Sequence, residues 1–274
     1  MSAPRAAAPG GGRRRLPIMP LLLDLKSASE AIPDIRLPEH GHYPGGDQRA
    51  AWHLEEGKKV FQRFFGKQPT GCWASEGALS QSLLPLLDDH GFHWTASGDS
   101  VIHNSMKLAR NKGAGDGGGS IHRPFRFAEQ PLTVFFRDDG LSDLIGFTYA
   151  DWHALDAVGD LVHHMENIAK DNRNNANAVI SVILDGENAW EYYPENGYYF
   201  LDELYRVLEN HPDLELTTYR DYLDTPDCQP EGLPHLVAGS WIYGTFSTWI
   251  GDPDKNRAWD LLCEAKQHYD KVMD

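Results

Sequence analysis

The sequence has few cysteines, an excess of acidic over basic residues, and no long apolar run. The three cysteines, Cys72, Cys228 and Cys263, stand far apart, which excludes a disulfide framework and indicates a reducing compartment such as the cytoplasm. Lysine and arginine number 25 against 40 acidic residues, a net charge of −15. Nucleic acid and anionic membrane surfaces are therefore disfavoured as partners. No apolar run approaches the roughly 20 residues that span a bilayer.

Aromatic residues are plentiful, at 11% of the chain, a composition that suits either stacking on sugars or a large core. The hydrophobic content of 41% suffices for one large domain or two small ones. Residues 1–15, rich in Ala, Pro, Gly and Arg, predict a disordered low-complexity tail. A targeting leader is disfavoured because Pro17 and Pro20 interrupt the apolar stretch that follows. Residues 16–274 are assigned to a single domain.

Short apolar or β-branched runs predict five strands of a parallel sheet buried on both faces: residues 71–75, 92–96, 132–137, 178–184 and 214–218. Helices are predicted between Asp47 and Gly66, from Asp151, around Phe200 to Leu208, and from Pro253. The alternation of strand and helix indicates βαβ units. A closed barrel takes about 250 residues, so this strand count predicts an incomplete ring.

A glycine-rich patch at residues 111–120 contains a formal G-x-G-x-x-G at Gly113, Gly115 and Gly118. A polar segment precedes it, whereas dinucleotide binding requires a buried strand there. The patch is therefore interpreted as a flexible surface loop, and the sequence indicates no cofactor.

Acidic residues stand where predicted strands end. Glu76 follows the first run, Asp138 and Asp139 follow the third, and Asp185 and Glu187 follow the fourth. The carboxyl ends of parallel strands share one edge of a sheet, and glycoside hydrolysis requires two carboxylates at one site. A single acid in such a place often only caps a helix, but several of them beside Trp or Phe favour a site.

Four segments resemble, in their order, stretches of glycoside hydrolase family 57: WASEG (73–77), FFRDDGLSDLIGF (135–147), VILDGENAWEYYPENGYYFLDELY (182–205) and GSWIYGTFSTWIG (239–251). The resemblance extends from about Leu16 to the C-terminus. That family cleaves α-glucans with retention on an incomplete (β/α)7 barrel. The resemblance therefore implies an α/β fold, a partial (β/α)7-type parallel barrel with about five strands and C-terminal helices. By position in the motifs, Glu76 matches the nucleophile and Asp138 the general acid/base.

The implied mechanism is a double displacement. Ionised Glu76 attacks the anomeric carbon, while Asp138 starts protonated, donates to the leaving oxygen and later removes a proton from water or an acceptor sugar. In a retaining enzyme the two carboxyl groups are expected to lie about 5–5.5 Å apart. Asp139 would raise the proton affinity of Asp138 and Arg137 would lower it; the sequence leaves that balance open.

The candidate substrate-binding residues are Trp73, Asp139, Asp185, Glu187 and Trp241. Asp185 and Glu187 suit either hydrogen bonds to sugar hydroxyls or a structural turn. Trp241 suits stacking on a pyranose ring or core packing, while Trp249 and Trp73 occupy positions more typical of a core.

The thirteen histidines raise the question of a metal site. Neither His163-His164 with Glu166 nor His90 with His93 has the spacing of H-E-x-x-H, and no motif places a third ligand. Surface histidines are favoured, and no metal is expected.

The first two motifs of the family, beginning with a His-Gln-Pro type, are not found. We therefore expect the chain to correspond to the later part of a catalytic domain, without roughly the first two strands. A parallel sheet edge must be covered, so either the fold is marginal or a partner chain completes the barrel, and activity is expected to be impaired.

The expected function is a retaining α-glucan hydrolase or transglycosidase that acts on starch, glycogen or malto-oligosaccharides. The alternatives are a catalytically impaired glucan-binding remnant and, less favoured, a metal-dependent hydrolase on a related barrel.

Overall fold

The computed structural model describes residues 17–113, 119–175, 177–186, 189–226 and 228–273. Three predicted features lie outside these ranges: the tail at residues 1–15, half of the glycine-rich patch (residues 114–118), and the candidate substrate-binding residue Glu187. The chain divides into two compact units. Within the described residues, the Glu76 unit comprises 17–119, Phe125–Val134 and 232–273, and the Asp138 unit comprises Ser120–Pro124 and Phe135–Glu231.

The described residues form ten α-helices: α1 (Met19–Leu23), α2 (Ala28–Ala31), α3 (Gly46–Phe65), α4 (Leu83–Asp89), α5 (Asp99–Asn111), α6 (Asp139–Asp143), α7 (Ala154–Asp171), α8 (Tyr198–Glu209), α9 (Tyr219–Leu223) and α10 (Pro253–Met273). The strands are β1 (Gly71–Cys72), β2 (Trp94–Gly98), β3 (Phe125–Phe127), β4 (Thr133–Arg137) and β5 (Glu231–Leu233). The predicted α/β class is confirmed.

The five strands form one sheet in the order β1-β2-β4-β3-β5. β1 pairs parallel with β2, whereas β3 pairs antiparallel with β4. That second pairing follows from the short connection at residues 128–132, because a parallel crossover needs a dozen residues or more. The strand order begins at β1 and ends at β5. Across the described residues the sheet is therefore open and does not close into a ring, as the strand count predicted.

Two of the five predicted strands are wrong. Residues 178–184 are not assigned to a strand. Ser181 and Val179 make isolated backbone hydrogen bonds, to the Asp138 N–H at 2.8 Å and to the His122 carbonyl at 3.0 Å. Ile183 instead bonds to side chains: its N–H donates to Ser142 Oγ at 3.2 Å, and its carbonyl accepts from Arg137 Nε at 2.9 Å. Residues 214–218 lead into α9, where the Thr218 hydroxyl accepts from the Asp221 N–H at 3.2 Å and caps the helix. β3 and β5, of three residues each, are too short to show a period in the sequence.

The four predicted helices are confirmed as α3, α7, α8 and α10. α3 lies between Gly45 and Gly66, both with positive φ, as the glycine stop signal predicted. α7 begins at Ala154, later than predicted, because Asp151 ends a separate 3₁₀ turn (Tyr149–Asp151).

One buried cluster in the Glu76 unit holds the segments around Glu76 and Trp241. Ala78, Ala238, Phe246 and Ile250 belong to it, each 0% exposed, and Trp249 packs against it. Trp249 is therefore partly core, as predicted. The Asp138 unit has its own cluster, in which α7 and α8 contribute Leu161, Met165 and Phe200. Within the described residues, no helix has both the length and the apolar character needed to cross a membrane.

Candidate active site

Glu76 lies just after β1 in a 3₁₀ turn, Ser75–Gly77, with φ 59° and ψ 23°. This left-handed conformation costs a residue with a side chain of order 1–3 kcal/mol and is held only where the surroundings impose it. Here the buried Ser97 hydroxyl donates to the Gly77 carbonyl at 2.6 Å. A Cβ on Gly77 would lie 2.7 Å from the Trp73 ring. The turn is thus fixed by tight packing on both sides.

Trp241 is hydrogen-bonded to Glu76 twice. Its indole Nε1 donates to Glu76 Oε2 at 3.0 Å, and its backbone N–H donates to the Glu76 carbonyl at 3.1 Å. Leu79 and Gly239 join the same two segments by reciprocal backbone hydrogen bonds of 2.9 and 3.0 Å. Trp241 therefore orients the Glu76 carboxylate.

Trp73 supports this arrangement from the core. It is 5% exposed, and its ring centroid lies 5.1 Å from that of Trp241 in an edge-to-face arrangement at 66°. Direct contact between Trp73 and a sugar stays a prediction.

Cys72, four residues before Glu76, is not suited to nucleophilic chemistry. Burial raises the pKa of its thiol to about 12, whereas the thiolate is the reactive form.

Asp138 follows β4 and caps α6. Its Oδ1 accepts from the Leu141 N–H at 2.8 Å, and its Oδ2 lies 2.8 Å from His122 Nε2. The side chains of His122 and Asp138 are 13% and 14% exposed. The carboxyl is thus held at both oxygens but is not sealed from solvent.

The surroundings of Asp138 lower its pKa. Burial raises the pKa, but the hydrogen bonds from His122 and the Leu141 N–H, together with the positive charges of His122 and Arg137, outweigh burial and hold it below the ordinary value. In the free chain these contacts favour the ionised carboxylate, and a protonated Asp138 at the start of the reaction stays a prediction. The sequence left open whether Asp139 raises this pKa more than Arg137 lowers it. In the structure the pKa is lowered, with contributions from the positive charges of His122 and Arg137.

Arg137 explains why Asp139 does not reverse that balance. Its guanidinium donates to Asp139 Oδ1 at 2.7 Å and to Asp143 Oδ1 at 2.6 Å, and it is 7% exposed. The charge of Asp139 is therefore compensated locally.

His122 is a partner of Asp138 that the sequence did not predict. Both ring nitrogens have a partner, because Nδ1 lies 3.0 Å from Ser120 Oγ and Nε2 lies 2.8 Å from Asp138 Oδ2. The His122 backbone is held as well, since its carbonyl accepts from the Val179 N–H at 3.0 Å. It stands 16 residues before Asp138, just after the glycine-rich patch, and no spacing rule connects the two positions.

Asp185 lies in the Asp138 unit and is partly buried. Its carbonyl accepts from the Ala189 N–H at 3.2 Å, a contact that fits the structural-turn alternative for this segment. A role of its carboxylate in sugar binding stays a prediction. The structure thus groups the predicted site residues by unit. The Glu76 unit contains Glu76, Trp73 and Trp241, and the Asp138 unit contains Asp138 and Asp139.

Histidines of both pairs that raised the metal question lie near carboxylates: His90 Nε2 is 3.7 Å from Glu55 Oε1, and His164 Nε2 is 3.6 Å from Asp160 Oδ2. Glu166 on α7 lies between His211 Nε2 at 3.3 Å and His163 Nδ1 at 3.9 Å. Among the residues that the structure describes, no three His, Cys, Asp or Glu side chains are grouped so that they would hold a metal.

Comparison with known proteins identifies the family. Residues 16–237 match the model of glycosyl hydrolase family 57, so the chain belongs to that family. No curated protein matches the sequence.

Three solved structures share the fold. A family 57 branching enzyme from Pyrococcus horikoshii is 18% identical with a TM-score of 0.58, over 88% of this chain and 49% of that one. A branching enzyme from Thermococcus kodakaraensis, solved with glucose, is 14% identical with a TM-score of 0.58, over 89% and 51%. An α-amylase from Thermotoga maritima is 17% identical with a TM-score of 0.55, over 76% and 49%. The chain spans about half the length of these proteins.

The hydrogen bond between His122 and Asp138 leads to a prediction about pH. We expect His122→Ala to raise the pKa of Asp138, because it removes both a hydrogen bond and a positive charge that lower it. Carboxyl-carbon NMR titration of labelled aspartate measures this change. His122→Gln is the matched control, since its amide can donate but carries no charge, and we expect an intermediate value.

The same substitution changes acid stability. A lowered folded-state pKa contributes stability above the unfolded pKa of about 3.9, and that contribution is lost as pH falls through the folded value. His122→Ala should therefore lose less stability than the wild type through this acid range. An unchanged Asp138 titration in His122→Ala contradicts the electrostatic role of the ring.

Proposed function

We propose that this chain is a retaining α-glucan glycoside hydrolase or transglycosidase, with Glu76 as nucleophile and Asp138 as general acid/base. The observation that carries the proposal is the Glu76 turn, which follows β1: the Glu76 backbone is in the strained left-handed region, and its carboxylate accepts from the indole N–H of Trp241. Strain of this kind is retained where the geometry of a reacting group matters.

Glu76 would attack the anomeric carbon and form a glycosyl ester. The Trp241 N–H fixes the direction of one carboxylate oxygen before substrate arrives, so little reorganisation is needed on binding. Water or a sugar hydroxyl then displaces the ester in a second inversion, and the product retains its configuration.

Asp138 would exchange protons with the leaving and entering oxygens. Because its pKa is lowered in the free chain, Asp138 has to take up a proton before it can donate one to the leaving oxygen. His122 Nε2, 2.8 Å from Asp138 Oδ2, lies close enough to exchange that proton. A bound glucan that covers the carboxyl adds to burial, which already acts in the raising direction.

The substrate class is proposed from the family and from the names of structural neighbours, two branching enzymes and an α-amylase. We assign substrate contacts to Trp241, by stacking, and to Asp139, Asp185, Glu187 and Trp73. We also propose a reducing, cytoplasmic location, since the three cysteines stand far apart in the sequence and are odd in number. A partner chain that completes the barrel stays a prediction.

The lowered pKa of Asp138 favours a second candidate, a glucan-binding protein with impaired catalysis. A general acid that is ionised at neutral pH protonates a leaving group poorly, while the Trp241 side of the site is unaffected.

Incubation with maltoheptaose, followed by mass spectrometry of the products, tests the proposal. Longer oligomers indicate transfer, and shorter ones indicate hydrolysis. Unchanged maltoheptaose that nevertheless binds, by calorimetry, supports the impaired protein. Neither reaction nor binding contradicts both candidates.

A further inference from the structure

Tyr243 combines two features that are unusual together. Its side chain is 80% exposed, and its backbone has φ 60°. Single exposed aromatic residues need no explanation. A bulky side chain on a left-handed backbone does need an explanation, because that conformation is strained and Gly or Asn would adopt it more easily.

The loop around Tyr243 is tightly built. Ser240 Oγ donates to the Thr245 carbonyl at 2.9 Å, and the Thr245 N–H donates to the Ile242 carbonyl at 3.3 Å. Asn104 on α5 donates to the Gly244 carbonyl at 3.2 Å. These bonds hold the backbone on either side of Tyr243, so the position of its ring is set by an ordered loop.

Two glycines of the loop have no room for a side chain. A Cβ on Gly244 would lie 2.8 Å from the Ser100 Cβ, and one on Gly239 would lie 2.3 Å from the Gly244 carbonyl oxygen. Both positions therefore require glycine, and the backbone on either side of Tyr243 packs closely against its neighbours.

The same loop carries the hydrogen bond to the candidate nucleophile. Trp241, two residues before Tyr243, donates to Glu76 Oε2 at 3.0 Å, and all three residues belong to the Glu76 unit. An aromatic ring presented to solvent beside this segment offers a flat apolar face to a pyranose ring and a hydroxyl to its edge.

We propose that Tyr243 is an aromatic subsite for a glucose residue of an α-glucan, next to the residue bound at Glu76 and Trp241. The proposal rests on the proposed function, and it deepens it: Tyr243 sets the preference for longer chains. The strain at φ 60° is retained because the ring contributes to binding.

The test compares three variants at this position. Tyr243→Asn and Tyr243→Gly remove the ring and suit the left-handed backbone, and Tyr243→Phe keeps the ring. We expect maltoheptaose to bind about 5–10-fold more weakly to the Asn and Gly variants and within about 2-fold of wild type to the Phe variant. Maltose, too short to reach both positions, should bind all of them about equally.

Thermal unfolding shows whether the variants fold. Relief of strain should raise the Tm of the Asn and Gly variants by about 2–4 °C, so weaker binding is not explained by unfolding. If wild type binds maltoheptaose and the Asn and Gly variants bind it equally well, the subsite is overturned while the proposed function stands. If wild type binds no malto-oligosaccharide at all, the proposed function fails, and the subsite fails with it.

Discussion

Glu76→Gln is expected to lower turnover of malto-oligosaccharides on the order of 10⁴-fold or more, with binding within a few-fold of wild type. The glutamine amide cannot form the glycosyl ester, but its oxygen can still accept from the Trp241 indole, which donates at 3.0 Å in the wild type. Steady-state kinetics and calorimetry on the same preparation measure the two effects separately.

Trp241→Phe is the matched control for Glu76→Gln. It keeps an aromatic ring but removes the N–H that orients the carboxylate, so we expect a smaller loss, of about 10–10²-fold in kcat. Turnover that survives Glu76→Gln within about 10-fold contradicts the assignment of the nucleophile.

Glu76→Gly offers a chemical rescue that the backbone makes feasible. Because Glu76 has φ 59°, glycine relieves strain there. Azide entering the vacated space should restore turnover and yield the β-glycosyl azide, since a single displacement inverts the anomeric centre.

Asp138→Asn is expected to lower kcat on natural α-glucans by about 10²–10⁴-fold, the usual contribution of general acid/base catalysis. A substrate with a dinitrophenolate leaving group should lose much less, because that group leaves without a proton. The fold should be kept, since asparagine also caps helices and its oxygen can accept from the Leu141 N–H.

Two neighbouring carboxylates serve as controls for Asp138→Asn. Asp143, half-exposed and bound to Arg137, should tolerate asparagine with little change in kcat. Asp185→Asn is expected to raise KM more than it lowers kcat. If Asp185→Asn shows the dependence on the leaving group and Asp138→Asn does not, the acid/base role belongs to Asp185.

The sequence predicted the elements that carry a strong local signal. α3 was found through its glycine stop at Gly66, and β4 through its β-branched and aromatic run. The run at residues 178–184 has the same composition, but Ile183 bonds to the Ser142 and Arg137 side chains. Contacts between distant positions decide such cases, and composition does not report them.

The same distinction between local signals and long-range contacts applies to the residues of the candidate site. Glu76 and Trp241 were found because each lies in a motif, but the hydrogen bond between them joins positions 165 residues apart. His122 lies in no motif, and its effect on Asp138 depends on a 2.8 Å contact. The left-handed backbone of Glu76 and Tyr243 has no sequence signal, because neither residue type favours it.

Trapping the covalent intermediate tests the central claim most directly. A 5-fluoro-α-glucosyl fluoride, which slows hydrolysis of the glycosyl ester, is incubated with the chain, and the proteolysed product is analysed by mass spectrometry. The account predicts one fluoroglucosyl group, located on Glu76 and absent from Glu76→Gln. Turnover of malto-oligosaccharides with the adduct on another residue, or with an inverted product and no adduct, contradicts it.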